Sequence, residues 1–354
     1  MDDSKSGLSR RESLGLGASV LATAATSGLF ATEAGATSRR HSSSRGIDFV
    51  SRIDFANPQW NRDTYARIDG ELDVTKQKVS RITGKVYGVR DNEKVRPLFK
   101  MDGFSVVRTL RLPDGNWRRV LKEVVFYRDL ATGRIMESWR NPYTDEDVRV
   151  VPIANDPFNY DIRDTKPQPP SYGGLNRDTR PPEPFLLDWS EGPDGTLILE
   201  TGIDLFYPAA LQPSQWPRES AGTFNRVSEH FLFFVKRADI ENRRLTALPV
   251  TGSWSRITPW LPWMLMGQAP GFINYFASFA TMTNGIADLP DDLVAAARAI
   301  NPGYLEAPTE DYGPSLSSLE HYAREQRPAP VPAGWSPPQP PPPPQLPPMP
   351  PRGG

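Results

Sequence analysis

Phe104-Ser105-Val106-Val107-Arg108-Thr109-Leu110-Arg111-Leu112-Pro113-Asp114-Gly115-Asn116-Trp117 opens the stretch that decides the fold, and it continues to Arg128. Phe104, Val106, Arg108, Leu110 and Leu112 alternate with Ser105, Val107, Thr109 and Arg111, the period-two pattern of a half-buried strand. Pro113-Asp114-Gly115-Asn116 is a turn with a mechanism, since proline presets one backbone angle and glycine tolerates the left-handed one. The alternation resumes at Trp117, so residues 104–128 are expected to form a β-hairpin.

Working outward, strands are expected at 135–139, 148–153, 185–189, 196–206, 223–237 and 245–254, with Gly192-Pro193-Asp194-Gly195 as another tight turn. Short strands at this spacing predict a mainly β fold, an antiparallel β-barrel-like or sandwich domain with one or two peripheral helices. One helix is clear near the end. Asp288 can cap it, Pro290 suits its first turn, Asp291 and Asp292 favour its positive end, and Asn301-Pro302-Gly303 stops it. From about Arg327 the chain changes character: 14 of the last 28 residues are proline. Such a tail cannot build a core, so 327–354 is expected to be disordered and extended in polyproline II, a spacer or a ligand for an aromatic-lined groove.

Composition excludes several chemistries. The 354 residues contain no cysteine and three histidines, so no disulfide framework, thiolate nucleophile or iron–sulfur cluster is expected, and no metal or cofactor is predicted. Lys plus Arg (41) and Asp plus Glu (42) nearly cancel, which argues against nucleic acid as a partner. There is no Gly-x-Ser-x-Gly elbow, phosphate-binding loop, dinucleotide fingerprint or His-Glu-x-x-His.

The front end reads as a leader. Arg10-Arg11 precedes an uncharged run from Leu14 to Phe30, and Ala34-Gly35-Ala36 supplies a small-residue cleavage site. Residues 1–36 are therefore expected to be a twin-arginine signal that engages that export machinery, delivering a periplasmic or secreted protein. A retained anchor is the weaker reading, because the run has 17 residues diluted by Gly, Ala, Ser and Thr, against about 20 strongly apolar ones for a span. Stable membrane insertion is not expected. Residues 37–59 read as a linker and 60–326 as one β-rich domain.

Candidate chemistry comes from two places. In Val227-Ser228-Glu229-His230-Phe231-Leu232, Glu229 and His230 point to opposite faces of one strand, so one of them faces the interior as a potential acid or base. Glu200 and Asp204 share a strand face but stand about 13 Å apart at roughly 3.3 Å per residue, too far for a glycosidase pair, leaving each to act alone or with Glu229. The second place is Trp254-Ser255-Arg256-Ile257-Thr258-Pro259-Trp260-Leu261-Pro262-Trp263-Met264-Leu265-Met266-Gly267. Broken by prolines, it is expected to form neither a regular helix nor a central strand, yet it carries more apolar surface than a loop exposes. Such a segment caps something. It seals a core, lines a pocket with Trp254, Trp260, Trp263, Met264, Met266 and Tyr207 while Arg256 orients a polar end, or docks on a membrane interface.

Gly84-Lys85-Val86-Tyr87-Gly88, Pro97-Leu98-Phe99 with Asp102-Gly103-Phe104, Trp139-Arg140-Asn141-Pro142-Tyr143-Thr144, Ala154-Asn155-Asp156-Pro157 and the tryptophan–proline segment occur in that order. Together they resemble the bacterial family called domain of unknown function 1838, over roughly 60–325. The resemblance implies an exported protein with a twin-arginine signal and carries over no catalytic residue. The residues support an apolar or aromatic small molecule held, and conceivably transformed, in an aromatic-lined cavity. The alternative is a non-catalytic envelope or surface protein acting through its polyproline tail.

Overall fold

The computed structural model describes residues 47–167, 181–313 and 315–344; the expected signal at 1–36 and the last ten residues lie outside the described residues. The chain is mainly β. One large antiparallel sheet is built from β1 (Lys78–Val89), β2 (Arg96–Arg111), β3 (Trp117–Arg128), β6 (Ile153–Asn155), β7 (Tyr160–Ile162), β8 (Asp188–Glu191), β9 (Thr196–Pro208), β10 (Phe224–Lys236), β11 (Thr251–Thr258) and β12 (Phe272–Thr281). Its order is β6-β3-β2-β1-β12-β11-β10-β9-β8, with β7 also paired to β3. β4 (Ser138–Asn141) and β5 (Glu146–Arg149) form a separate hairpin. The sheet is not a closed barrel, since β8 lies at one edge and β6 and β7 at the other, unpaired with each other. It curls nonetheless: Tyr127 of β3 and Tyr207 of β9, far apart in strand order, line one cavity.

The hairpin at 104–128 forms as expected, with Arg111 opposite Trp117. It is buried on both faces rather than one. Leu121, Val125 and Val107 face the main core, while Phe104, Val106, Val124 and Phe126 pack outward on Leu289, Leu293, Ala297 and Tyr304. That outer cover is α3 (Asp291–Ile300) and the turn after it. Its N-cap is Pro290, and Asp288 instead accepts from the backbone and side chain of Asn284, so the expected cap belongs to the preceding turn.

The two strands at the sheet's centre are ones the sequence hid. β1 carries Gly84 and Gly88 at inward positions, where a Cβ would sit 2.2 Å from the Phe276 carbonyl oxygen and 2.0 Å from the Tyr143 hydroxyl. These glycines are points of close approach. The Trp/Pro segment also begins inside β11, a central strand, because its first proline comes only at 259. The expected strand at 245–254 starts late, at Thr251, since residues 242–250 form turns and irregular chain after the short helix α2 (Arg237–Glu241).

Helix α1 (Pro58–Asp69) begins inside what reads as linker. Asn57 caps it by accepting from the amides of Gln59 and Trp60, and Pro58 occupies its first turn. It is buried along nearly its whole length, at the end of the sheet where β3 starts. The fourth helix, α4 (Ser318–Glu325), carries a full capping box between Ser317 and Glu320 and packs on β6 at the other end. No helix among the described residues is long and apolar enough to cross a membrane. The described part of the tail, 327–344, contains no helix or strand.

Candidate functional site

Every second residue of β3 faces the interior: Trp117, Arg119, Leu121, Glu123, Val125 and Tyr127. On the other side of the curl, β10 turns Asn225, Val227, Glu229, Phe231 and Phe233 inward. Strand register then fixes the chemistry, since Glu229 lies opposite Arg256 and Arg256 opposite Tyr275. Glu229 is 1% exposed, with Oε1 3.6 Å from an Arg256 guanidinium nitrogen and Oε2 accepting from the Trp254 indole at 3.0 Å.

Burial pushes the Glu229 carboxyl above its usual range, with Arg256 and Trp254 pulling back. Burial pulls Arg256 down, but Glu229 and the tyrosines 275, 207 and 127 outweigh it and hold the guanidinium above its ordinary value. Burial also pushes the Tyr127 and Tyr207 hydroxyls up to about 12, and Tyr275 well above 10, so all three stay protonated and can donate. Deeper along β3, burial raises Glu123 to about 7; one of its oxygens accepts from Asn155, and Oε2 has no hydrogen-bond partner.

Arg256 and the three tyrosines line a cavity of about 90 Å³ at the gap between the sheet's two edges, with Glu229 behind Arg256. Its polar lining includes Tyr127, Tyr207, Tyr275, Arg256, Asn155 and Asn225. Trp260, Leu261, Pro262 and Trp263 form one wall, and α4 supplies Ser318, Leu319, His321, Tyr322 and Glu325. His321 has Nδ1 3.4 Å from Glu325, while its Nε2 is buried without a hydrogen-bond partner.

The structure divides the expected site residues. Glu229, Arg256, Tyr207, Trp260 and Trp263 come together at or beside the cavity. Trp254 sits behind it, donating to Glu229 and packed 5.4 Å from the lining ring of Tyr275, and Met264 and Met266 are core residues at 0% and 1% exposure that do not line it. Glu200, Asp204 and His230 occupy the outer face, where His230 lies 3.4 Å from the Ser228 hydroxyl and Glu200 pairs across from Asp188. The period of two that brings Glu229 in sends these out. An open depression of about 680 Å³ there includes Lys85, Glu200, His230 and Phe276, with no buried polar group converging on it. Trp260 and Trp263 are 4% and 3% exposed, their rings packed at a tilt 5.3 Å from Tyr143 and from Phe99 respectively, so they are not displayed to a membrane. Among the described residues no group of His, Asp and Glu could hold a metal ion.

Tyr127, Tyr275, Glu123, Asn155 and His321 were not singled out by the sequence. The first and third lie on one face of the hairpin whose alternation was legible, and Ser317-x-x-Glu320 announced the helix that places His321. A comparison with curated proteins gives no match. Over residues 75–326 the sequence matches the family described as a protein of unknown function (DUF1838), and the chain belongs to that family.

Proposed function

We propose that this is an exported protein whose interior cavity holds a compact, mostly apolar molecule bearing one neutral oxygen, such as a ketone carbonyl. The observation behind it is the meeting of a partly open, mostly apolar cavity with Arg256 and three protonated tyrosines. Isolated buried polar groups are ordinarily satisfied by their own chain; a set converging on a cavity is a recognition site. Glu229 already balances the Arg256 charge, so a neutral acceptor suits the site better than a second anion.

Size sharpens the ligand class. An apolar cavity of roughly 150 Å³ takes benzene, whereas this one measures about 90 Å³. A flexible molecule of about five heavy atoms, reaching into the cavity's open mouth, fits this form, and a rigid aromatic ring requires α4 to give way. Butan-2-one is a suitable probe. Saturation-transfer NMR should detect it on the wild-type protein and not on Val227→Phe, which fills the cavity while leaving the polar lining in place. Equal binding by both rejects the reading.

A second reading has one observation in its favour, the His321–Glu325 pair across the cavity's α4 wall. With Nδ1 turned to Glu325, Nε2 is the nitrogen left to take a proton. A proton from the carbon beside the carbonyl would pass to Nε2 while the electron pair moves onto the oxygen held by Arg256 and the tyrosines, and return would restore the ketone. In deuterated water, wild type should then speed deuterium uptake by butan-2-one and His321→Gln should not. Uptake at the buffer rate leaves a binding protein only.

A further inference from the structure

The proline-rich tail is fastened to the body. Proline has no N–H, so such a chain mostly offers carbonyl oxygens, and the body answers with donors. Arg218 donates to the Pro330 carbonyl at 3.0 Å, Arg90 to Pro338 at 3.4 Å and Asn92 to Pro341 at 3.0 Å. One of the tail's amides, that of Ala329, donates to Glu219 at 2.5 Å. Between these ties Trp335 lies under the Arg218 guanidinium, 5.5 Å from its ring centre, and against Gly267. Gly267 is suited to that contact: its φ is +55°, and a Cβ there would come within 2.6 Å of the Trp335 ring.

Two features connect these ties to the cavity. Glu219 is itself a lining residue, and α4, which forms one wall, ends at Glu325, four residues before the first tie. α4 has no fully buried residue of its own. It is held by Asn155 at Ser318 and by the edge contact of Tyr322 with Trp216, 5.8 Å between ring centres, and its C-terminal end runs directly into the fastened tail.

We propose that residues 327–344 are a strap holding α4 over the cavity, and that ligand entry and exit require the strap to lift at Trp335. This regulation rests on the cavity being the ligand site, but its first test does not need a ligand. Hydrogen exchange on the full chain should show the Ala329 amide and the α4 amides protected in wild type. Trp335→Ala should speed exchange at both by about tenfold or more, leaving Phe231 and Phe233 in β10 unchanged. Asn92→Gly keeps the turn's positive φ of 61° and removes one tie, so it should act in the same direction more weakly; it serves as the test if Trp335→Ala also loosens β10.

A freed Ala329 amide with α4 protection unchanged overturns the strap, as does a wild-type Ala329 amide exchanging like a free peptide. Entry of butan-2-one should also quicken in Trp335→Ala. If exchange behaves as stated and the ketone does not bind at all, the strap survives and the ligand reading fails.

Discussion

The interior has two polar ends that differ in how their charges are satisfied. At the α1 end, Arg67 spends its guanidinium on the carbonyls of Asp239, Ile240, Asn242 and Leu245 at 2.8–3.1 Å. Lys78 donates to the carbonyls of Ile68, Leu248 and Arg67, and Arg119 pairs with Asp69 at 3.1 Å, which also accepts from Tyr160. Every charge there is met by the chain itself, as in a structural core. At the other end, Arg256 and the tyrosines line open space, with Glu229 behind Arg256. The same strand, β3, runs through both, with Arg119 at one end and Tyr127 at the other. Buried polarity alone therefore says little about function; the cavity beside it decides.

Breaking the α1 end should cost most. Arg67→Met strands four carbonyls and should lower stability by about 4 kcal/mol in a denaturant titration, with butan-2-one binding intact in the folded fraction. Arg256→Met leaves Glu229 buried without its cation and should cost about 3 kcal/mol while abolishing ketone binding.

Between the two ends lies Glu123, whose folded pKa of about 7 stands above the ordinary 4.5. The folded state holds the extra proton between these values, so stability should fall as pH rises from about 4.5 to 7. Glu123→Gln should remove a decline on the order of 3 kcal/mol across that window, read from melts at pH 4.5 and 8. Glu229, also raised, acts in the same direction and remains in the variant. Tyr207→Phe should change stability by less than about 1 kcal/mol yet weaken the ketone several-fold by NMR titration. His230→Ala, on the outer face, should leave stability within about 0.5 kcal/mol and binding unchanged.

Sequence made the edges of this architecture legible and concealed its middle. The hairpin at 104–128 and strands β9 and β10 announce themselves by their alternation, with proline–glycine turns at 113–116 and 192–195 marking the hairpin's tip and the start of β9. β1 does not, since two of its core-facing positions are glycines pressed against neighbouring backbone or tyrosine. The site was half visible for a related reason. Glu229 against His230 was a choice that only the sheet's handedness of burial could make, and Arg256 was singled out by its aromatic company. Tyr127, Tyr275 and His321 come from elements 127 to 321 in the chain and meet only because the sheet curls and α4 fills its gap. Local pattern carries no trace of that meeting. The tail shows the same limit: its composition predicted extended chain, while its fastening depends on Arg90, Asn92, Arg218 and Gly267, scattered through the body.

The most direct measurement is a pair of NMR titrations of the wild-type protein with butan-2-one and 2-methylbut-1-ene, which differ only in oxygen against a methylene. A carbonyl accepting from Arg256 and its tyrosines should bind roughly ten- to a hundredfold more tightly, the equivalent of one charge-assisted hydrogen bond. Equal affinity for the two would mean the polar groups do not meet the ligand and would contradict the account.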